Sequence, residues 1–249
     1  MSLALFGFCM SRVCTFVLRL VWTARPNNVP IEIAAQVFTN AGVLIVYIIL
    51  LVLALRTFRA THPKIGWNRH LDKAFTVLYI LLLGALLLTI GFTVKSFYTL
   101  NSTLRSVAMW IQRSATLYMM IFNVITLVLL SLSVVLPRAS DSENFGTGSM
   151  SSKLIILGTA VFFSTFIAGF RTGVIWSAPR PILSPPWYDT KAAFYVIIFV
   201  FEIIIIYLLL ITRFDKRFWV PNGSKGPGDY SRIDPRVSTE RRASEKEVI

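Results

Sequence analysis

The sequence predicts an all-α bundle of about six membrane-spanning helices followed by a basic tail. Three observations carry this. The 249 residues are 55% hydrophobic and only 15% charged, against about 25% charged in ordinary soluble domains. The apolar residues fall in long blocks, with a mean hydropathy of +0.67, and a helix crosses a bilayer with roughly 17–25 such residues. All six Trp (Trp22, Trp67, Trp110, Trp176, Trp187 and Trp219) fall at or beyond the ends of those blocks, where amphipathic rings settle among the headgroups.

The predicted spans are Leu3–Val21, Ile31–Leu55, Ala74–Val94, Ala115–Leu136, Leu154–Phe170 and Ala192–Ile211. Asn28 and Pro30 precede the second, and Glu32 sits in its first turn, where the helix dipole favours an acid. Asp189 and Thr190 stand ready to cap the last. In the fifth, Ser164 with Ala168 and Thr165 with Gly169 form two small-xxx-small steps, which suggest a close helix contact rather than a lipid face. The first span carries Arg12 and Arg19 and has nothing basic before it. One reading is an interfacial amphipathic helix. The preferred reading is a seven-span fold lacking its first helix, with the N-terminus outside. Cys9 and Cys14 have neither metal-ligand spacing nor a disulfide framework and read as small buried apolar residues.

Residues 1–212 form the bundle and 213–249 a basic, largely disordered cytoplasmic tail. Its Pro, Gly, Ser and charge content predicts disorder beyond about Pro221. Arg241-Arg242-Ala243-Ser244 matches a basophilic kinase pattern, which makes Ser244 a phosphorylation candidate. With the tail inside, Lys and Arg number five in 56–73, two in 137–153 and nine from Thr212 onward. Outside there are one in 22–30, three in 95–114 and three in 171–191. This follows the positive-inside bias and assigns the net charge of +13 to membrane topology and anionic lipid rather than nucleic acid. It places the glycosylation acceptor Asn101-Ser102-Thr103 outside, whereas Asn222-Gly223-Ser224 falls on the cytoplasmic side.

Glu202 is the sole charge in AAFYVIIFVFEIIIIYLLLI, residues 192–211. A charge at a helix centre costs roughly 2.5–3.5 kcal/mol on insertion scales. By depth Arg12 lies level with it, so the two are expected to neutralise one another across the first and last spans. The alternative is a protonated Glu202 bonded to a hydroxyl or carbonyl, with Arg12 snorkelling. In the second span Glu32, Gln36 and Asn40 are four apart and share a face. Thr116 and Asn123 share one in the fourth, and Arg19 lies at similar depth. Together these are expected to line a polar pocket open to the outside and floored by Glu202. Taken singly, each reads as helix–helix glue. His62 and His70 have no further ligand at useful spacing, and no P-loop, dinucleotide fingerprint or Ser-His-Asp arrangement stands out. No metal, cofactor or enzyme chemistry is expected.

Two stretches, RTFRATHPKIGW (Arg56–Trp67) and PPWYDTKAAFY through Glu202 into RFDKRFWVPNGS (Pro185–Ser224), with FGFCMSR near the start, resemble an uncharacterised fungal family of multi-pass membrane proteins, a domain of unknown function. The resemblance runs to about Ser231. It implies further sequence before FGFCMSR, and Asn near positions 49 and 198, where this chain has Ile49 and Ile198. The layout is similar to fungal lipid-translocating exporter-like proteins, which have seven spans. The leading expectation is therefore transport of an amphipathic or lipid-like molecule, in a plasma membrane or endomembrane, with membrane lipids as partners. A sensor signalling through the 56–73 loop and the tail, or a structural subunit, are the alternatives.

Overall fold

The computed structural model describes residues 2–25, 27–99, 101–177, 186–221, 223–224 and 226–231. Ser244 and Asn222 lie outside them. The helices are α1 (Ser2–Ala24), α2 (Val29–Thr61), α3 (Pro63–Gly66), α4 (Arg69–Tyr98), α5 (Ser102–Val135), α6 (Met150–Trp176), α7 (Lys191–Phe194), α8 (Phe201–Ile211) and α9 (Phe214–Arg217). A π-helical stretch, Tyr195–Val200, joins α7 to α8. Six segments are long and apolar enough to cross a membrane: α1, α2, α4, α5, α6 and the run Lys191–Ile211. The protein is a multi-pass, all-α membrane protein.

The bundle is built around α2. Two-thirds of its most apolar window (67%) is buried inside the bundle, against 17% for α4. Its apolar residues surround the whole helix, which is the signature of a helix enclosed on all sides, and α1, α4, α5 and α6 all pack on it. On α1, Leu5, Phe8, Ser11, Arg12 and Thr15 are buried, while Leu3, Phe6, Met10, Val13, Val17 and Leu20 are exposed. Each set keeps helical spacing, so α1 turns one stripe to α2 and the other to lipid. Cys9 and Cys14 lie on exposed positions, so the buried reading of these thiols does not hold.

Several helices outrun the predicted blocks. α5 starts at Ser102 because Asn101 caps it, its side-chain oxygen accepting from Thr103 N at 2.9 Å. Gln112 and Arg113 therefore lie within the helix rather than in an outer loop. At this far end, Arg113 stacks between Trp110 and Trp176, its Cζ 5.3 and 5.7 Å from the ring centres, and its Nε reaches the Ile175 carbonyl at 3.3 Å. Thr190 caps α7, accepting from Ala193 N at 3.2 Å.

The opposite, tail-bearing end is a folded cap. The Glu143 carboxylate accepts from Gly228 N at 2.6 Å and Tyr230 N at 2.8 Å. The Tyr230 ring meets Trp67 at 5.4 Å and Phe145 at 5.8 Å. Arg56 donates to the Phe218 carbonyl at 3.0 Å. Gly146 has φ +58°, and a Cβ there would run into the Arg217 carbonyl. Arg59 pairs with Asp72 and stacks 4.6 Å from the Trp67 ring. The expected disorder beyond Pro221 thus does not extend to residues 226–231. Their composition is polar, yet Tyr230 supplies an aromatic anchor and Glu143 satisfies the backbone.

Burial pushes the Tyr230 phenol above its ordinary value, with Arg59 and Arg56 pulling the other way. The raised value belongs to a phenol that is neutral when docked. Its contribution is complete below the ordinary tyrosine value of about 10 and fades as pH rises through the elevated one. Limited trypsin digestion reads this docking. Glu143→Ala removes two charge-assisted bonds, worth about 1.5–3 kcal/mol each, and should speed cleavage of the tail at neutral pH. Wild type should resist cleavage after Lys216 and Arg217 there and yield at them only in strong alkali.

Candidate functional site

Arg12, Asn40, Arg171 and Glu202 come together from α1, α2, α6 and α8. Arg12 Nη2 lies 2.6 Å from Glu202 Oε1, with both side chains buried. Arg12 Nη1 also donates to the Thr39 carbonyl at 3.3 Å. Its guanidinium sits 5.3 Å from the Phe8 ring and 5.0 Å from the Phe199 ring. Phe199 lies in the π-helical stretch and gathers with Phe194 and Tyr195, and Phe16 of α1 meets it at 4.8 Å. The sole acid of the sixth span and a mid-helix arginine of the first are thus an ion pair, enclosed by aromatic faces.

Gly42 makes this possible. A Cβ there would stand 2.8 Å from Arg12 Cζ and 3.0 Å from Ser11 Oγ. Ser11 in turn donates to the Phe38 carbonyl at 3.1 Å. The missing side chain on α2 is the seat of the guanidinium.

A second arginine joins the cluster. Arg171 donates to the Asn40 side-chain oxygen and lies within electrostatic reach of Arg12, Glu202 and Tyr47. Tyr47, seven residues after Asn40, shares its face of α2 and is 2% exposed. Between α2, α5 and α6, a cavity of about 10 Å³ is bordered by Tyr47, Thr116, Met119, Ala168, Arg171 and Thr172. That is room for about one water.

The predicted outward pocket does not assemble. Asn40 and Thr116 reach the buried cluster and its small cavity. Asn123 bridges helices instead, its oxygen accepting from Ser164 Oγ at 2.5 Å while its Nδ2 donates to Met119 O at 3.0 Å. Arg19 stacks 4.4 Å from the Phe194 ring. Glu32 is half-buried and Gln36 exposed, and neither side chain bonds a described residue. A concavity of about 630 Å³ at the far end is lined by the α1–α2 turn, including Arg25, Asn27 and Pro30, and by none of the predicted set. The reason is geometric: shared depth and shared face do not fix which neighbour a face meets, and α2 has neighbours all round. His62 ties the end of α2 to the loop after α5, with Nε2 3.2 Å from the Pro137 carbonyl.

A second feature lies on the membrane-facing side. Leu127, Phe162, Thr165, Phe166, Gly169 and Phe170 line an apolar groove of about 450 Å³ between α5 and α6. Of the two small-residue steps in α6, Ser164 and Ala168 are buried in the helix contact, as expected. Thr165 and Gly169 face this groove instead, and nothing lies within 4 Å of a Cβ built on Gly169.

A family model described as "Protein of unknown function (DUF3112)" matches residues 147–219. The match spans α6 to α9, and so takes in the groove's α6 wall, Arg171 and Glu202, but neither Arg12 nor Asn40. No curated protein and no solved structure matches this chain.

Sequence reasoning missed Arg171, Gly42 and Tyr47. The charge count places Arg171 in the outer loop, yet α6 runs on to Trp176 and leaves Arg171 more than a turn inside.

Displacing the far end of an arginine is ordinarily cheap, but here that end is held by Glu202, the Thr39 carbonyl and two rings. Gly42→Ala should therefore lower stability by about 1–3 kcal/mol despite gaining helix propensity. Gly84→Ala, where nothing lies within 4 Å of the new Cβ, should be neutral or stabilising by up to about 1 kcal/mol. Thermal unfolding of both variants in detergent checks the contrast.

Proposed function

We propose that this protein takes an amphipathic, lipid-like molecule from the bilayer into the α5–α6 groove and moves it across the membrane. The carrying observation is the groove itself, which is apolar, open on the membrane-facing side and walled by three phenylalanines at helical spacing on α6. Its volume falls in the roughly 300–1,000 Å³ range of small-molecule sites. An apolar chain entering it gives up no hydrogen bond, because Thr165 already donates to its own helix at Val161 O, 2.8 Å away.

The groove is also mechanically linked to the charged cluster. Phe201 packs against Phe163 at 5.2 Å and Phe166 at 5.5 Å, and the next residue is Glu202. An occupant that moves Phe166 acts on the helix that holds the ion pair. The orientation that fits is the tail end cytoplasmic, since Lys64, Arg69, Lys73, Arg138, Arg213 and Lys216 gather there and basic residues favour that side. Asn101 then faces outward in the turn between α4 and α5.

A sensor is the second reading, favoured by the cap, in which the tail at Tyr230 packs directly on Trp67 of the basic segment. It would carry a change in the bundle to the tail without moving any lipid.

Reconstitution into liposomes with a panel of fluorescent phospholipids and sterols separates the readings. Wild type should move at least one lipid across the bilayer. Gly169→Leu should fill the groove and slow that movement about tenfold or more, while unfolding at the same or a higher temperature, since leaving glycine adds up to about 1 kcal/mol in a helix. Folded wild type that moves no lipid would sink the transport reading, and transport indifferent to Gly169→Leu would sink the groove.

A further inference from the structure

The buried cluster is not electrically closed. The charged groups that act on one another in it are Arg12, Arg171 and Glu202, two cations and one anion. Glu202 is engaged with Arg12 at 2.6 Å. The side-chain partner of Arg171 is Asn40, which is neutral. One carboxylate shared between two guanidiniums leaves the cluster with a net positive charge inside a membrane bundle, which is costly because the excess charge loses hydration without a countercharge of its own.

The donors left over point to what completes it. Arg171 Nη1 and the Tyr47 hydroxyl are both enclosed and short of well-formed hydrogen bonds among the described residues, as are Arg12 Nε and Glu202 Oε2; Arg171 and Tyr47 lie within loose hydrogen-bonding reach of each other, which leaves the hydroxyl proton free to donate. Both residues border the 10 Å³ cavity, and neither Glu202 nor Arg12 does. The cavity therefore presents a cation and a hydroxyl donor, and the carboxylate is not part of its wall. Thr172 adds a hydroxyl that now divides its proton between the Ala168 and Thr116 carbonyls, at 2.9 and 3.2 Å. Met119, a flexible side chain, forms part of the wall and can give to admit a particle slightly larger than water.

We propose that this cavity is a binding site for one small monovalent anion, chloride, which serves as the counter-ion of Arg171 and hydrogen-bonds the Tyr47 hydroxyl. The site is separate from the lipid groove and does not depend on the transport reading. It makes chloride a structural ligand of the contact between α2 and α6. Water alone fits the volume but leaves the arginine without a countercharge.

The test is thermal unfolding of the purified full chain in detergent, with chloride titrated against gluconate at constant ionic strength. Wild type should show a midpoint that rises with chloride and saturates. Tyr47→Phe keeps the ring and removes one hydrogen bond, so the apparent chloride affinity should weaken about tenfold. Arg171→Gln should abolish the dependence. Equal midpoints in chloride and gluconate would mean that the cavity holds water only and would overturn the proposal. So would a chloride dependence that is unchanged in Tyr47→Phe, a variant that decides the matter even if Arg171→Gln does not fold.

Discussion

The bilayer interior does not tolerate an unmatched charge, and the arrangement of this bundle follows from that constraint. Arg12 and Glu202 sit near the middle of the first and last spans, 190 residues apart in sequence. Each would be expensive facing lipid, and each is affordable facing the other. The pair thereby fixes which side of α1 meets α2 and which side of the sixth span turns inward. Gly42 supplies the space, and Phe8 and Phe199 supply aromatic faces that favour a cation.

Around this clamp most of the remaining hydroxyls bond their own helix, and a few polar groups join helices. Ser164 reaches Asn123 between α6 and α5, Tyr118 reaches the Leu78 carbonyl between α5 and α4 at 2.7 Å, and Gln112 reaches Thr93 at 2.9 Å. Such bonds form readily in a membrane because the alternative partner is hydrocarbon. The apolar groove of about 450 Å³ lies outside these contacts, on the membrane-facing side of α5 and α6.

The spans were legible because length and hydropathy are one-dimensional properties, and bilayer thickness converts them into helices. The level placement of Arg12 and Glu202 was legible for the same reason, since depth can be counted along each span. Which helix faces which cannot be counted. Asn123 and Asn40 looked alike as polar residues in outer halves, yet one meets Ser164 and the other Arg171. The tail misled for a related reason: polar, glycine-rich composition reads as disorder, while the order of residues 226–231 comes from Glu143 and Trp67, far away in sequence. Gly42 carried no local signal at all, because its role appears only once Arg12 lies against it.

The account rests on the Arg12–Glu202 pair, and a double-mutant cycle in detergent tests it most directly. Arg12→Leu and Glu202→Leu are each compared with the double substitution by thermal unfolding. The account predicts that each single variant, left with one unmatched buried charge, is less stable than the double variant, with a coupling of about 2 kcal/mol or more. Additive losses, with the double variant the least stable of the three, would contradict it.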